Sequence, residues 1–230
     1  MSFNCPHAPI DADPRLTVQT RKIEVGAQLV RFHGTAYPAD SFNPNTGKRI
    51  DLPEHGSRFN PFPGTPSSNV PTLYASDMLQ AAALESVFHA VQHEPSPTYL
   101  RSQLSDWRYS HLDTLRDLTV FDLTNPHLRQ LSVPGRSISL TEGEPIHTSA
   151  SEYPNTRTWA RVLHESLPIL DGLAWRPRLG GIGWAYIFFG DRCGTGALQT
   201  GPIAIEISSG PGFLELDEIA KLASIRIIDH

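Results

Sequence analysis

The chain changes hydrophobic period several times, and each change marks an element. Residues 23–33 (IEVGAQLVRFH) carry the β-branched and apolar content of strand structure. Between Gly34 and Pro71 prolines and glycines recur too often for a long helix, which predicts a long excursion with short extended pieces. A short strand, Thr72-Leu73-Tyr74, then leads to Ser76 as a helix N-cap, with Asp77 in the first turn and alanines behind it. That helix is expected to run roughly four turns, to about Gln92, and to stop before Pro95. Residues 118–123 (LTVFDL) and 183–189 (GWAYIFF) read as strands, the second apolar enough to lie near the centre of a sheet. Between them residues 156–165 predict a helix that begins near Pro154 and places Trp159, Val162 and Leu163 on one face. Asp171-Gly172 reads as a turn before Leu173-Ala174-Trp175. Residues 203–207 read as a strand, 216–222 as a short helix and 225–228 as a last strand. The mixture predicts an α+β fold, a twisted and mainly antiparallel sheet with flanking helices, rather than regular βαβ alternation. Residues 1–20 read as a tail and residues 21–230 as a single domain.

Composition narrows the class. A chain of 230 residues and 25.4 kDa can bury a substantial core, and its 39% hydrophobic and 19% charged residues are ordinary for a globular protein. No apolar run reaches the length of a membrane span, and the start MSFNCPHAPIDADPR lacks the basic and apolar regions of a signal peptide, so a cytoplasmic protein is expected. Cys5 and Cys193 make neither a disulfide framework nor a metal-like cluster. A net charge of -5 argues against direct, nonspecific nucleic-acid binding, which needs a basic surface. Lys22, Lys48 and Lys221 are the only lysines, so 16 of the 19 cations are arginine. That preference suits phosphate recognition by a planar fork, and a codon bias explains it equally well.

The candidate chemistry starts at Glu85. On the helix after Asp77, Leu84, Val87, Phe88 and Val91 form an apolar stripe, whereas Glu85 looks back across the small Ala81 and Ala82. It reads either as a solvated acid bonded to His89, or as an acid in a cleft that stabilises a developing positive charge. In the run 55–60 (HGSRFN), Arg58 is either an exposed turn residue or the clamp of an anion site. Arg31, at the end of an apolar strand, suits a buried ion pair with Glu85 as well as ligand binding. His89 and His93 have the spacing of half a zinc site without a third ligand, so no metal is expected. Cys193 has no histidine partner visible in the sequence, and Gly180-Gly181-Ile182-Gly183 reads as a turn.

Taken together these stretches resemble the RES-domain family, named for an arginine, a glutamate and a serine and found as toxins of bacterial toxin–antitoxin pairs. The likeness runs in order through LVRFHG with Arg31, GSRFNP with Arg58, and LYASDMLQAAALESVFH with Tyr74 and Glu85. It continues through the helix with Trp159, DGLAWRPR and GWAYIFFGDR, spanning residues 28–192. The resemblance implies an ADP-ribosyltransferase-like fold and a reaction on NAD as substrate, with no further cofactor. The nicotinamide–ribose bond would be cut and passed to water or inorganic phosphate, as in an NAD glycohydrolase or phosphorylase. It also implies an antitoxin partner of helix-turn-helix type that supplies any DNA contact. Glu85 and Arg31 are the expected catalytic pair, with Glu85 facing the ribose and Arg31 and Arg58 clamping the pyrophosphate. Tyr74 is expected to stack on a ring or bond the ribose, although it also reads as a core tyrosine. One departure stands out: Pro177 occupies the place of the family serine and offers neither hydroxyl nor N–H. Arg176 or Arg178 is expected to supply the missing contact. The alternative is a catalytically silent NAD- or nucleotide-binding or interaction module that keeps the fold. Under either reading Arg31, Arg58 and Glu85 should meet in one cleft.

Overall fold

A computed structural model describes residues 4–9, 18–64, 68–91, 94–124, 126–131, 140–141, 143–177, 183–194 and 196–229. Its strands are β1 (Thr20–Ile23), β2 (Gln28–Gly34), β3 (Thr72–Ser76), β4 (Thr98–Leu100), β5 (Trp107–Thr114), β6 (Leu118–Asp122), β7 (Gly172–Trp175), β8 (Ala185–Phe189), β9 (Leu198–Glu206) and β10 (Arg226–Ile228). Its α-helices are α1 (Leu79–Glu85), α2 (Gly143–Ile146), α3 (Tyr153–Ser166), α4 (Gly190–Cys193) and α5 (Gly210–Leu222). Eight strands form one sheet in the order β1-β6-β7-β8-β3-β2-β5-β9, antiparallel throughout except for β6 with β7. β10 pairs in parallel with β4 in a separate ribbon. This is the α+β arrangement that the hydrophobic pattern predicts.

The inner strands follow directly from composition. β8 is buried at all its positions, as a continuous apolar run must be when neighbours flank it on both sides. Successive residues serve opposite faces: Ala185, Ile187 and Phe189 join the core under α3, while Tyr186 and Phe188 join the core on the other side. α3 begins next to Pro154 and buries Trp159, Val162 and Leu163, as expected. Gly172, read from the sequence as part of a turn, instead opens β7, because a Cβ there would meet the Ile187 carbonyl oxygen at 2.1 Å.

Three local expectations give way to tertiary structure. The run 23–33 divides at Gly26, whose φ of +80° turns the chain, so that β1 pairs with β6 while β2 joins β5 and β3. Ser76 ends β3 instead of capping a helix: its Oγ donates to the Trp184 carbonyl at 2.6 Å, and Asp77 accepts the Trp184 N–H at 2.6 Å. α1 consequently starts at Leu79 and stops at Glu85 after seven residues. The Ser86 hydroxyl bonds back to the Ala82 carbonyl, and the next regular bond runs from the Phe88 N–H to Ala83, one residue further back than an α-helix requires.

The sheet is least complete at its middle. β2 and β3 are paired only where Val30 faces Ser76, whereas β2 runs beside β5 from Gln28 to Gly34. Beyond that pair the two strands diverge into a fork. The chain leaves one arm of the fork after Gly34 and returns on the other at Thr72, and between them Tyr37, Asn43, Lys48, Ser57 and Asn60 line the opening.

This long excursion is held by buried polar groups. Arg157 of α3, 0% exposed, donates from Nε to the Ser57 carbonyl at 2.9 Å, from Nη1 to Ile50 at 3.2 Å and Leu52 at 2.7 Å, and from Nη2 to Pro53 at 2.9 Å. Next to it the Thr156 hydroxyl donates to the Arg58 carbonyl. Asn45, also fully buried, donates to the Val70 carbonyl and Thr72 Oγ1 and accepts from Asn60. Within the stretch read as a tail, residues 4–9 pack against α3: Cys5 and Ala8 enter the core, and the Trp159 indole donates to the Pro6 carbonyl at 2.9 Å.

Arg157→Met should lower the unfolding free energy by about 3–5 kcal/mol, since buried carbonyls lose charged donors that no water can replace. Urea unfolding should show an earlier midpoint, and a midpoint equal to that of the native protein would remove Arg157 as the anchor of the excursion.

Candidate active site

Glu85 is the last residue of α1, and its side chain lines the cavity at the fork. The Glu85 side chain is 10% exposed, which rules out the solvated helix acid. Its Oε2 accepts the Trp175 indole N–H at 3.2 Å and lies 3.7 Å from Nη1 of Arg58. Its Oε1 meets no donor among the described residues, and Glu85 lines two cavities. One cavity has a volume of about 350 Å³ and takes in Arg31, His33, Asn43, Lys48, Asn60 and Trp107. The other, about 210 Å³, takes in Arg58, His89 and Trp175. Ser57, Tyr74, Glu85 and Ser86 line both.

The arginines approach from different elements. Arg31 projects from β2, where the strand has parted from β3, and its Nη1 donates to the Ala39 and Ser41 carbonyls at 2.6 Å each. These two oxygens stand where the sequence suggested an ion pair with Glu85; that carboxylate is paired with Arg58 instead. Burial lowers the Arg31 guanidinium to about 10, so it stays cationic at neutral pH. Arg58 is carried by the excursion that Arg157 pins. Its side chain is 6% exposed, its Nε is buried without a hydrogen-bond partner, and its guanidinium lies 5.9 Å from the Tyr153 ring centroid. A cation so buried and so incompletely satisfied is poised for an anion.

Neutral groups complete the wall. The Tyr74 hydroxyl shares a hydrogen bond with Ser57 Oγ at 2.6 Å and donates to Asn60 Oδ1 at 3.2 Å, and burial pushes its phenol well above the usual range. Its ring meets Trp175 edge-on at 6.0 Å. His89, read from the sequence as a bonding partner for Glu85, shares a hydrogen bond with the Tyr153 hydroxyl at 3.3 Å. Burial, helped by the charge of Arg58, lowers its imidazole to about 4 and keeps it neutral around pH 7.

Arg31, Arg58, Tyr74 and Glu85 therefore meet at one place, as the sequence suggested. Arg176 does not join them. Its guanidinium stacks 3.9 Å from the Trp184 ring centroid, its Nη1 donates to the Gly183 carbonyl at 2.8 Å, and it lines neither cavity. Arg178, His93 and the run 180–182 lie outside the described residues. Cys193 is far from a reactive thiol: burial raises it to about 12, and its Sγ contacts the Asp171 carbonyl at 3.5 Å. Among the described residues no group of three or more His, Cys, Asp or Glu is placed to hold a metal ion, and no helix is long and apolar enough to cross a membrane.

Sequence reasoning missed Ser57, Asn60, Ser86 and Trp175 as lining residues. The first two flank Arg58 inside GSRFNP and the third follows Glu85, so adjacency was a usable signal. Trp175 gave none, because its contact with Glu85 spans 90 residues. Chemically, the site offers a carboxylate with one open oxygen and a guanidinium in each of the two cavities that it lines. Such a set can face a positively charged centre while binding an anion in either cavity.

No curated protein matches the sequence. A family model does match, over residues 28–204, a stretch that runs from β2 into β9 and includes Arg31, Arg58, Tyr74 and Glu85. That model describes the RES domain, and with about three quarters of its length matched the chain belongs to the RES-domain family.

Proposed function

We propose that this chain cleaves the nicotinamide–ribose bond of NAD and passes the ADP-ribosyl group to water or inorganic phosphate, as an NAD glycohydrolase or phosphorylase. The RES-domain family is associated with NAD-related toxin–antitoxin modules. The observation that carries the proposal is the open oxygen of Glu85, a residue that lines two cavities, one of them also lined by Arg31 and the other by Arg58. We read the split, mainly antiparallel sheet as ADP-ribosyltransferase-like, the fold that goes with this chemistry.

The residues suit the reaction. When the C1′–N bond breaks, its electron pair returns to the pyridinium ring, so nicotinamide leaves neutral and needs no proton from the protein. The ribose is left oxocarbenium-like, and a fixed carboxylate stabilises that charge most where water is excluded. Water then adds to C1′ and loses a proton, or a phosphate oxygen adds in its place. Arg31 and Arg58 suit the pyrophosphate, whose two negative charges match guanidinium forks. Tyr74, with its hydroxyl held by Ser57 and Asn60, contributes a ring edge and a rigid wall. The larger cavity lies within the roughly 300–1,000 Å³ usual for small-ligand sites. As the toxin of a cytoplasmic pair, the chain would be held in check by a helix-turn-helix antitoxin.

Pro177 favours a second reading, in which the fold binds NAD or a nucleotide without turning it over. It is buried just beyond β7 and presents no hydroxyl. Purified protein mixed with NAD, with and without phosphate, separates the two readings by release of nicotinamide. Release above a buffer blank supports the enzyme, and NAD binding by calorimetry without release supports the silent module.

Glu85→Gln should keep the fold and lower NAD cleavage at least tenfold, since removing a charge aimed at a developing cation costs on the order of 2–4 kcal/mol. Unchanged turnover, with folding verified by circular dichroism, would reject the role given to Glu85. Arg58→Ala should act on binding instead, weakening NAD affinity roughly ten- to a hundredfold for the loss of one charge-assisted contact. Calorimetry on the folded variant checks this, and native affinity would place the pyrophosphate elsewhere.

A further inference from the structure

We infer that Trp175 is a positioning residue for Glu85: its indole N–H holds Oε2 so that Oε1 faces the substrate. The inference rests on the NAD-cleaving reading and deepens it. The indole Nε1 lies 3.2 Å from Oε2, a hydrogen bond, whereas the Nη1 of Arg58 lies 3.7 Å from the same oxygen, a charge contact without hydrogen-bond geometry. Arg58 also has a buried Nε with no partner, so an anionic ligand will compete for it. When the guanidinium turns to that ligand, the indole remains the one direct donor to the carboxylate among the described residues.

Trp175 is built to stay in place. It is 1% exposed, sits opposite Ala185 in the β7–β8 pair, and is held edge-on by Phe59 at 5.2 Å and by Tyr74 at 6.0 Å. The small Ala185 leaves the indole room on that face of the sheet. A carboxylate at the broken end of a seven-residue helix has no comparable rigidity of its own. Pro177, two residues further along the chain, cannot donate, which leaves the donor role at this end of β7 to the indole.

Two measurements test this, one of them independent of activity. The protein has four tryptophans, so its indole N–H region in a proton–nitrogen NMR spectrum holds four resonances. In Glu85→Gln the Trp175 resonance, identified by its absence from Trp175→Phe, should move upfield more than the other three as a charge-assisted bond becomes a neutral one. If Trp175→Phe does not fold, replacing Trp175 by its sulfur isostere keeps the ring, removes the N–H and serves the same purpose. Kinetically, either replacement should lower kcat about three- to tenfold, the scale of one hydrogen bond, and leave KM for NAD within about twofold. A purely packing role would leave kcat per folded molecule unchanged. An indole resonance indifferent to Glu85→Gln, or native kcat in a folded variant, would overturn the inference. Absence of nicotinamide release from the native protein would instead sink the NAD reading, and the NMR comparison would still decide whether Trp175 holds Glu85.

Discussion

Val30 and Ser76 are the one ladder pair through which β2 and β3 meet, at the middle of the eight-stranded sheet. Neighbouring strands normally lie about 4.8 Å apart along their whole shared length, and that spacing leaves no room for a ligand. Parting the strands after a single pair opens the sheet without adding a second layer around a cavity. The cost is a set of backbone groups without ladder partners, and Thr72 recovers its bonds from Asn43 of the excursion, N–H to carbonyl in both directions. α1 packs against β2, β3 and β8, so one short helix braces both halves next to the pair that joins them. The fork, its closing loop and the helix that ends in Glu85 are thus parts of one solution to a sheet divided at its middle.

Two buried arginines show how that solution separates structure from readiness to bind. Arg157 spends its guanidinium on four carbonyls of the excursion, each at 3.2 Å or less. Arg58, equally deep, has one carboxylate at 3.7 Å, a distant aromatic face and an unpartnered Nε. A buried cation is tolerable when its donors are met and costly when they are not. The first arginine therefore fixes the loop, and the second stores a demand for an acceptor that an anionic ligand can meet. The pair explains why arginine outnumbers lysine in a useful way here: a planar fork can saturate several carbonyls or present a matched face to phosphate, and an ammonium does neither as well.

The sequence made some of this legible and hid the rest for definite reasons. β8 and α3 could be read because their burial is a local matter of composition and period. β5 could not: Arg108, His111 and Asp113 interrupt its apolar positions, and its place is set by β2 and β9 from elsewhere in the chain. Arg157 gave no signal, because its acceptors lie about 100 residues away. The site residues Arg31, Arg58, Tyr74 and Glu85 were found through a resemblance that fixes their order, while spacing alone left each of them with a bland alternative. Arg176 misled because a cation near the DG turn suits substrate binding by type, and only the β7–β8 pairing shows that it covers Trp184.

The early end of α1 is where local preference and function part. Alanines followed by leucine and glutamate favour a continuing helix, and Val87, Phe88 and Val91 continue its apolar stripe. A carboxylate in the last turn also faces the negative end of the helix dipole, a placement that isolated helices avoid. Both preferences are overridden. The Ser86 hydroxyl takes the Ala82 carbonyl, the ladder skips a residue, and Val87 and Phe88 still reach the core by way of the irregular turn. Arg58 and the Trp175 indole offset the unfavourable end of the dipole from outside the helix. Breaking a local rule at the one acidic residue that lines these cavities among the described residues, with partners from two other parts of the chain to compensate, is the pattern expected where folding has been bent to a chemical purpose.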